Sequence, residues 1–298
     1  MGIKFRLIVM NFLQYAIWGS WLISLGAYLG GGLDFTGLQI GSFFATMGVA
    51  SLFMPAVMGI IADRWIPAQK LLGICHLVSG GFLIAAASQT AYGPLYSCML
   101  LSVMFYMPTI ALSNSVAYNA LDLARLDTVK HFPPIRVWGT VGFIAAMWFV
   151  DLTHIGGVQI KLTEWQLYVS AVLSFLLSVY SFSLPGCPVD RNVKARSWVD
   201  TLGLRAFTLF KEKRMAIFFV FSMLLGAALQ ITNAFGDSYI QSFGSMPQYA
   251  DSAIVKHSVI LLSLSQMSET LCILLIPFFL RRFGIKKEHH FLDPEAPQ

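Results

Sequence analysis

A bundle of α-helices that crosses a membrane many times is the fold class this sequence predicts, and three observations predict it. Hydrophobic residues make up 56% of the 298, and charged residues only 12%, about half the charged share of a soluble domain. Mean hydropathy is +0.68. The apolar residues are gathered into runs long enough to cross ~30 Å of hydrocarbon as helices of ~20 residues, and too long for barrel strands. A water-soluble enzyme, a disordered chain and a disulfide-stapled secreted domain are thereby excluded. The chain reads as an all-α polytopic membrane protein.

Eight stretches qualify as spans. Residues 7–29 and 40–62 carry no charge. The first is too long for a signal-peptide core and is interrupted by Asn11 and Gln14, so it is expected to stay uncleaved. Leu71 to Leu121 is also uncharged and holds two helices, with a turn at Gln89 to Pro94. Val137 to Val150 alone is too short to span. The fifth helix must therefore begin near Pro133 or Pro134, since proline is tolerated in a first turn, and run to about Leu152. The sixth span covers Trp165 to Leu184, the seventh Met215 to Gly236 and the eighth His257 to Leu280, with Glu269 the one charge inside it.

Lys and Arg set the direction, because cytoplasmic loops retain them. With the N-terminus inside, all of the 20 except Lys161 and Lys256 fall on the cytoplasmic side, and an even span count returns the C-terminus there. That distribution accounts for the net charge of +5 without any nucleic acid. Residues 185–214 read as a basic cytoplasmic linker, with a short amphipathic surface helix at Phe207 to Lys211. The linker divides a six-helix bundle at 1–184 from two further helices at 215–287, and 288–298 is a polar tail. Cys75, Cys98 and Cys272 lie in apolar runs and Cys187 in a loop; without CxxC or Cys/His spacing, metal binding is not expected and reduced, buried thiols are.

Polar groups inside spans are costly and point to function. Glu269 falls near mid-membrane with Gln266 one turn earlier, and a carboxyl there can take up and release a proton. Arg136 falls just inside span five, with Thr140 and Phe143 following at i+4 and i+7 on the same face. A guanidinium, a hydroxyl and a ring on one stripe suit a polar, ring-shaped ligand. Gln230 and Asn233 stand at i, i+3 on span seven; their neutral amides both donate and accept. Asn11, Gln14, Trp18 and Trp21 form a further polar-aromatic stripe on span one. Each has a structural alternative: an acid paired within the bundle, an arginine snorkelling to the interface, amides bonding between helices. His76 is alone on its span and reads as packed. No HExxH, GxSxG or Walker loop occurs, so the chain is not expected to be an enzyme.

The turn after span two, Gly59-Ile-Ile-Ala-Asp63-Arg64-Trp-Ile-Pro-Ala-Gln-Lys70, resembles a degenerate major facilitator loop signature, and Arg282-Phe-Gly-Ile-Lys-Lys287 is a weaker echo. More specific are FLQYAIWGSWL (12–22), MPTIALSNSVAY (107–118), FPPIRVWGTVGF (132–143), KRMAIFFVFSMLLGAALQITNAFG (213–236) and SLSQMSETLCILLIPFFL (263–280). Together they resemble the bacterial nucleoside:proton symporters of the major facilitator superfamily, with SNSVAY closest to the xanthosine permease branch. The resemblance implies a major-facilitator-type helical bundle that takes up nucleosides with protons by alternating access. It implies that Arg136, Thr140, Phe143, Gln230, Asn233, Gln266 and Glu269 bind substrate, with Glu269 coupling the proton. The implied partners are a nucleoside (a purine such as xanthosine among the candidates), protons and the lipid bilayer. Neither metal nor cofactor is implied. A monomer in the bacterial inner membrane is expected, with both termini cytoplasmic. The family has twelve spans, so eight read as a truncated or frame-shifted product, and the alternative to a working carrier is a non-transporting remnant.

Overall fold

Backbone groups inside a bilayer have no water to bond and must pair within the chain. The computed structural model describes residues 2–189 and 210–283, and answers that demand with helices joined by short turns. They are α1 (Ile3–Gly19), α2 (Leu25–Ala27), α3 (Gly37–Arg64), α4 (Ala68–Ala87), α5 (Tyr92–Leu123), α6 (Thr128–Leu152), α7 (Trp165–Ser181), α8 (Lys213–Ser242), α9 (Ala253–Lys256) and α10 (Ser258–Phe283). Among the described residues, α3, α4, α5, α6 and the run Lys213–Ser245 are long and apolar enough to cross a membrane, and α7 is a shorter apolar helix. Most of the expected linker, including positions 207–209 of the surface helix, and the tail lie outside the described residues.

Three local features differ from the sequence reading, each for a physical reason. The run 7–29 is not one helix. α1 stops at Gly19, the Ser20 hydroxyl donates to the Ala16 carbonyl at 2.8 Å, and a π-turn over Tyr28–Gly32 follows α2. Gly30, Gly31 and Gly32 are poor helix formers that weaken this stretch. α6 begins well before the prolines. The Asp127 carboxylate accepts from the Val129 and Lys130 backbone N–H groups at 2.9 and 3.4 Å, a cap that starts the helix at Thr128 and leaves Pro133 and Pro134 in the second turn. Between α6 and α7 the chain forms a small hairpin, β1 (His154–Ile155) against β2 (Val158–Gln159). Its turn is Gly156-Gly157, at φ +60° and +84°, a left-handed pair that glycine adopts freely.

α1 packs against α6 and α7, α4 lies between α5 and α7, and α3 runs along α5. A buried polar net joins four of these. His76 shares a hydrogen bond from Nε2 with Gln14 Oε1 at 2.8 Å and one from Nδ1 with Ser174 Oγ at 3.2 Å, and Gln14 Nε2 donates to Thr109 Oγ1 at 2.7 Å. Along α7, Ser170, Ser174 and Ser178 donate to the carbonyls of Ile17, His76 and Gly73. Small hydroxyl residues thus let the helices approach and bond at once. All four cysteines are free; Cys75 and Cys187 are buried, but Cys98 is half-buried and Cys272 exposed. Burial pushes the Cys187 thiol above its ordinary pKa.

Candidate functional site

α6 meets α1 at very short range along the glycines beside the predicted stripe. An added Cβ on Gly142 would lie 2.2 Å from the Phe12 carbonyl oxygen, and one on Gly19 2.3 Å from that of Phe143. The two backbones therefore touch, and only glycine fits at either point. One turn along, a Cβ on Gly139 would meet Tyr15 Cδ2 at 2.5 Å and Arg136 Nη1 at 2.8 Å. Into that space the Arg136 guanidinium lays itself over the Tyr15 ring, Cζ 3.8 Å from the centroid. This is cation–π geometry, which fixes where an otherwise long and mobile side chain points.

Phe143 is buried and meets Trp18 edge-on, with centroids 6.4 Å apart at 89°. Trp18 in turn packs against Tyr106 at 5.9 Å. Thr140 opens into a cleft of about 430 Å³ shared with Trp148 of α6 and with Met267, Thr270 and Leu274 of α10. Gln230 and Asn233 are half-buried on α8. Gln230 lines a second cleft, of about 500 Å³, with Trp18, Phe44, Met107 and Phe235. The Trp18 Nε1 and Gln230 Nε2 donors are buried and make no hydrogen bond among the described residues.

The seven predicted residues do not all meet. Arg136 and Phe143 share the α1 contact, Thr140 faces α10, and Gln230 joins Trp18; among the described residues no side-chain hydrogen bond or ion pair links any two of the seven. Gln266 is half-buried and Glu269 exposed, where the sequence reading expected buried surroundings for the acid. The reason is register. α10 turns Met267, Thr270 and Leu274 toward α6, and Glu269 stands roughly a third of a turn off that stripe at 3.6 residues per turn.

Sequence reasoning missed Tyr15, which lies within the FLQYAIWGSWL motif but off the polar stripe it drew on α1. It also missed an ionic cluster at the hairpin end, in which Lys161 Nζ lies 2.6 Å from Asp151 Oδ1, both side chains being 1% exposed or less. The available signal was an acid closing an apolar run and, ten residues later, one of the two basic residues on that side.

The family model described as nucleoside H⁺ symporter matches residues 1–289. The chain is 52% identical to the xanthosine permease of Escherichia coli (strain K12), and 48% identical to the nucleoside permease NupG of the same strain. Each alignment covers 96% of this chain and 67% of the relative. Crystal structures of nucleoside transporter NupG and of a point mutant superpose with TM-scores of 0.83 and 0.86 at 48% identity, covering 96% of this chain and 69% and 70% of theirs. The chain belongs to the nucleoside H⁺ symporter family.

Proposed function

We propose that this protein carries nucleosides, purine nucleosides such as xanthosine among them, across the bacterial inner membrane together with protons. The reading has eight spans, both termini cytoplasmic and a cytoplasmic linker at 185–214 between a six-helix bundle and the helices of a second. Substrate passes between these parts by alternating access. Arg136, Thr140 and Phe143 on α6, Gln230 and Asn233 on α8, and Gln266 and Glu269 on α10 are its binding residues, and Glu269 carries the proton. The observation that carries the reading is Arg136 pinned over the Tyr15 ring, two turns along α6 from the Phe143–Trp18 pair. A fixed cation with rings beside it can bond sugar hydroxyls or base carbonyls and stack on a heterocycle. The one-sided distribution of Lys and Arg supports the orientation, and the family match supports the substrate class.

Radiolabelled nucleoside uptake into cells making the chain tests this directly. Saturable accumulation that a protonophore abolishes is the expected result, and uptake no greater than in cells lacking the chain contradicts it. A sharper prediction follows from the cation–π contact, whose loss costs about 0.5–2 kcal/mol. Tyr15→Leu should raise KM for nucleoside roughly 2- to 30-fold with a smaller change in maximal rate, while Tyr15→Phe, which keeps the ring, stays near the parent. Equal losses in Tyr15→Leu and Tyr15→Phe would show that the hydroxyl, not the ring, positions Arg136.

A further inference from the structure

The last helices meet the first part of the chain through a cluster of charges at the hairpin end, and none of these belongs to the binding residues above. Lys161 sits in the short 3₁₀ turn Ile160–Leu162 and is 1% exposed. Its ammonium has three partners. Asp151 Oδ1, at the end of α6, lies 2.6 Å away. The other two lie across the junction: the Lys256 carbonyl at 2.8 Å and Ser258 Oγ at 3.2 Å. Ser258, the first residue of α10, donates to the buried Asp237 of α8, which also accepts from Gln241 at 2.9 Å. His257 Nδ1 donates to Asp151 Oδ2 at 2.8 Å, and Gln159 Nε2 reaches the Lys256 carbonyl at 3.2 Å. From its far side, Gln166 Nε2 donates to the Lys161 carbonyl at 3.0 Å and accepts from Ser24 through Oε1 at 2.9 Å.

The ammonium thus donates two hydrogen bonds across the junction and is ion-paired with Asp151 on its own side, while the other Asp151 oxygen is held by His257. The side chain of Lys256 takes no part; it turns outward to the exposed Asp251 at 2.9 Å, which holds that carboxyl below its usual pKa. Just beneath the cluster, Gly26 lets α2 touch the α8 backbone at Ala234, and Ser238 Oγ lies beside the same glycine. The opposite stretch of α8, from Ile217 to Leu229, is largely exposed. The junction is therefore closed by charge-assisted bonds at one end of the helices, while α8 is largely uncovered toward the other. Such bonds are directional and strong while dry. They are also exchangeable, because water entering between the two parts rehydrates every group that they release.

We propose that Lys161, bridging Asp151 to Lys256 and Ser258, with His257 and Asp237 beside it, is the latch that shuts the hairpin end and must release whenever the path opens there. This rests on the alternating-access reading, to which it adds the residues of one gate. The latch puts the cost of opening into a few named bonds rather than into the apolar packing of whole helices.

Accessibility of Ser238→Cys to a membrane-impermeant maleimide tests the latch without requiring transport. The full chain is labelled in right-side-out and inside-out membrane vesicles, against a parent with only its four native cysteines. In Lys161→Met, and in Asp151→Asn/Lys161→Met, which removes both members of the ion pair together, labelling from the hairpin side should rise roughly ten-fold or more, as expected when two crossing charge-assisted bonds are lost. Lys161→Arg should label several-fold more slowly than Lys161→Met, and Lys256→Ala at the parent rate, since only its carbonyl is engaged. Parent-rate labelling in both neutralised variants would overturn the proposal. So would a rise matched by labelling of the buried Cys75, which would mark a weld whose loss unfolds the bundle. A chain that labels as expected yet takes up no nucleoside would retain the latch and lose the transport reading.

Discussion

Glu269→Gln is expected to abolish concentrative uptake while leaving nucleoside exchange. Glu269 is the one charged residue between His257 and Leu280, and an ionisable group within a span is kept there at a cost. A carboxyl can bind a proton, cross the cycle neutral and release it; an amide of the same size keeps the hydrogen bonds and is fixed in the neutral state. The internal-to-external ratio should therefore fall to about one, with no gain from an imposed proton gradient. Exchange of labelled for unlabelled nucleoside should continue at a comparable rate. The paired measurement is accumulation and exchange in the same vesicles. Near-normal accumulation would move the proton to another acid, and the buried Asp237 on α8 is then the next to test.

Gly142→Ala should destabilise the protein far more than the same change at Gly226. The added Cβ at 142 would lie 2.2 Å from a backbone oxygen of α1 and 2.8 Å from the Phe12 carbonyl carbon, whereas nothing lies within 4 Å of the equivalent atom at 226. A side chain in the way could rotate; a backbone cannot, so α1 must move off α6. Overpacking of this kind costs about 1–3 kcal/mol, which corresponds to a fall of roughly 3–10 °C in thermal midpoint. Gly226→Ala, in the middle of α8, should be neutral or stabilising by up to ~1 kcal/mol through helix propensity. Thermal stability in detergent, read by size-exclusion fluorescence, makes the comparison. Because the same contact sets Tyr15 under Arg136 and Trp18 against Phe143, Gly142→Ala should also weaken nucleoside binding. Equal stabilities would mean that α1 and α6 do not pack this closely.

The helices were legible because the bilayer demands long apolar runs, and little else satisfies it. Their ends were less so. The break after Gly19 goes with the Ser20 hydroxyl bonding back to Ala16 and the glycines at 30–32, which an unbroken apolar run hides, and the start of α6 depends on the cap at Asp127, which the prolines overshadowed. On α6 the Arg136, Thr140 and Phe143 stripe was readable from helical spacing alone. What holds Arg136 was not, since the cation–π contact exists only where Gly139 lets α1 come close. The surroundings of Glu269 were misjudged for a related reason: depth along a span says nothing about rotation around it. The latch was the least legible feature. Asp151, Lys161, Asp237 and His257 are scattered over the sequence and become one cluster only when the hairpin folds back between α6 and α7.

Proton movement on nucleoside addition tests the central claim most directly. A lightly buffered suspension of de-energised cells making the chain, given a nucleoside, should show alkalinisation of the medium as protons enter with the substrate. The signal should saturate with nucleoside concentration, disappear with a protonophore and be lost in Glu269→Gln. Saturable nucleoside entry with no accompanying proton uptake would contradict the account, leaving a facilitator rather than a symporter.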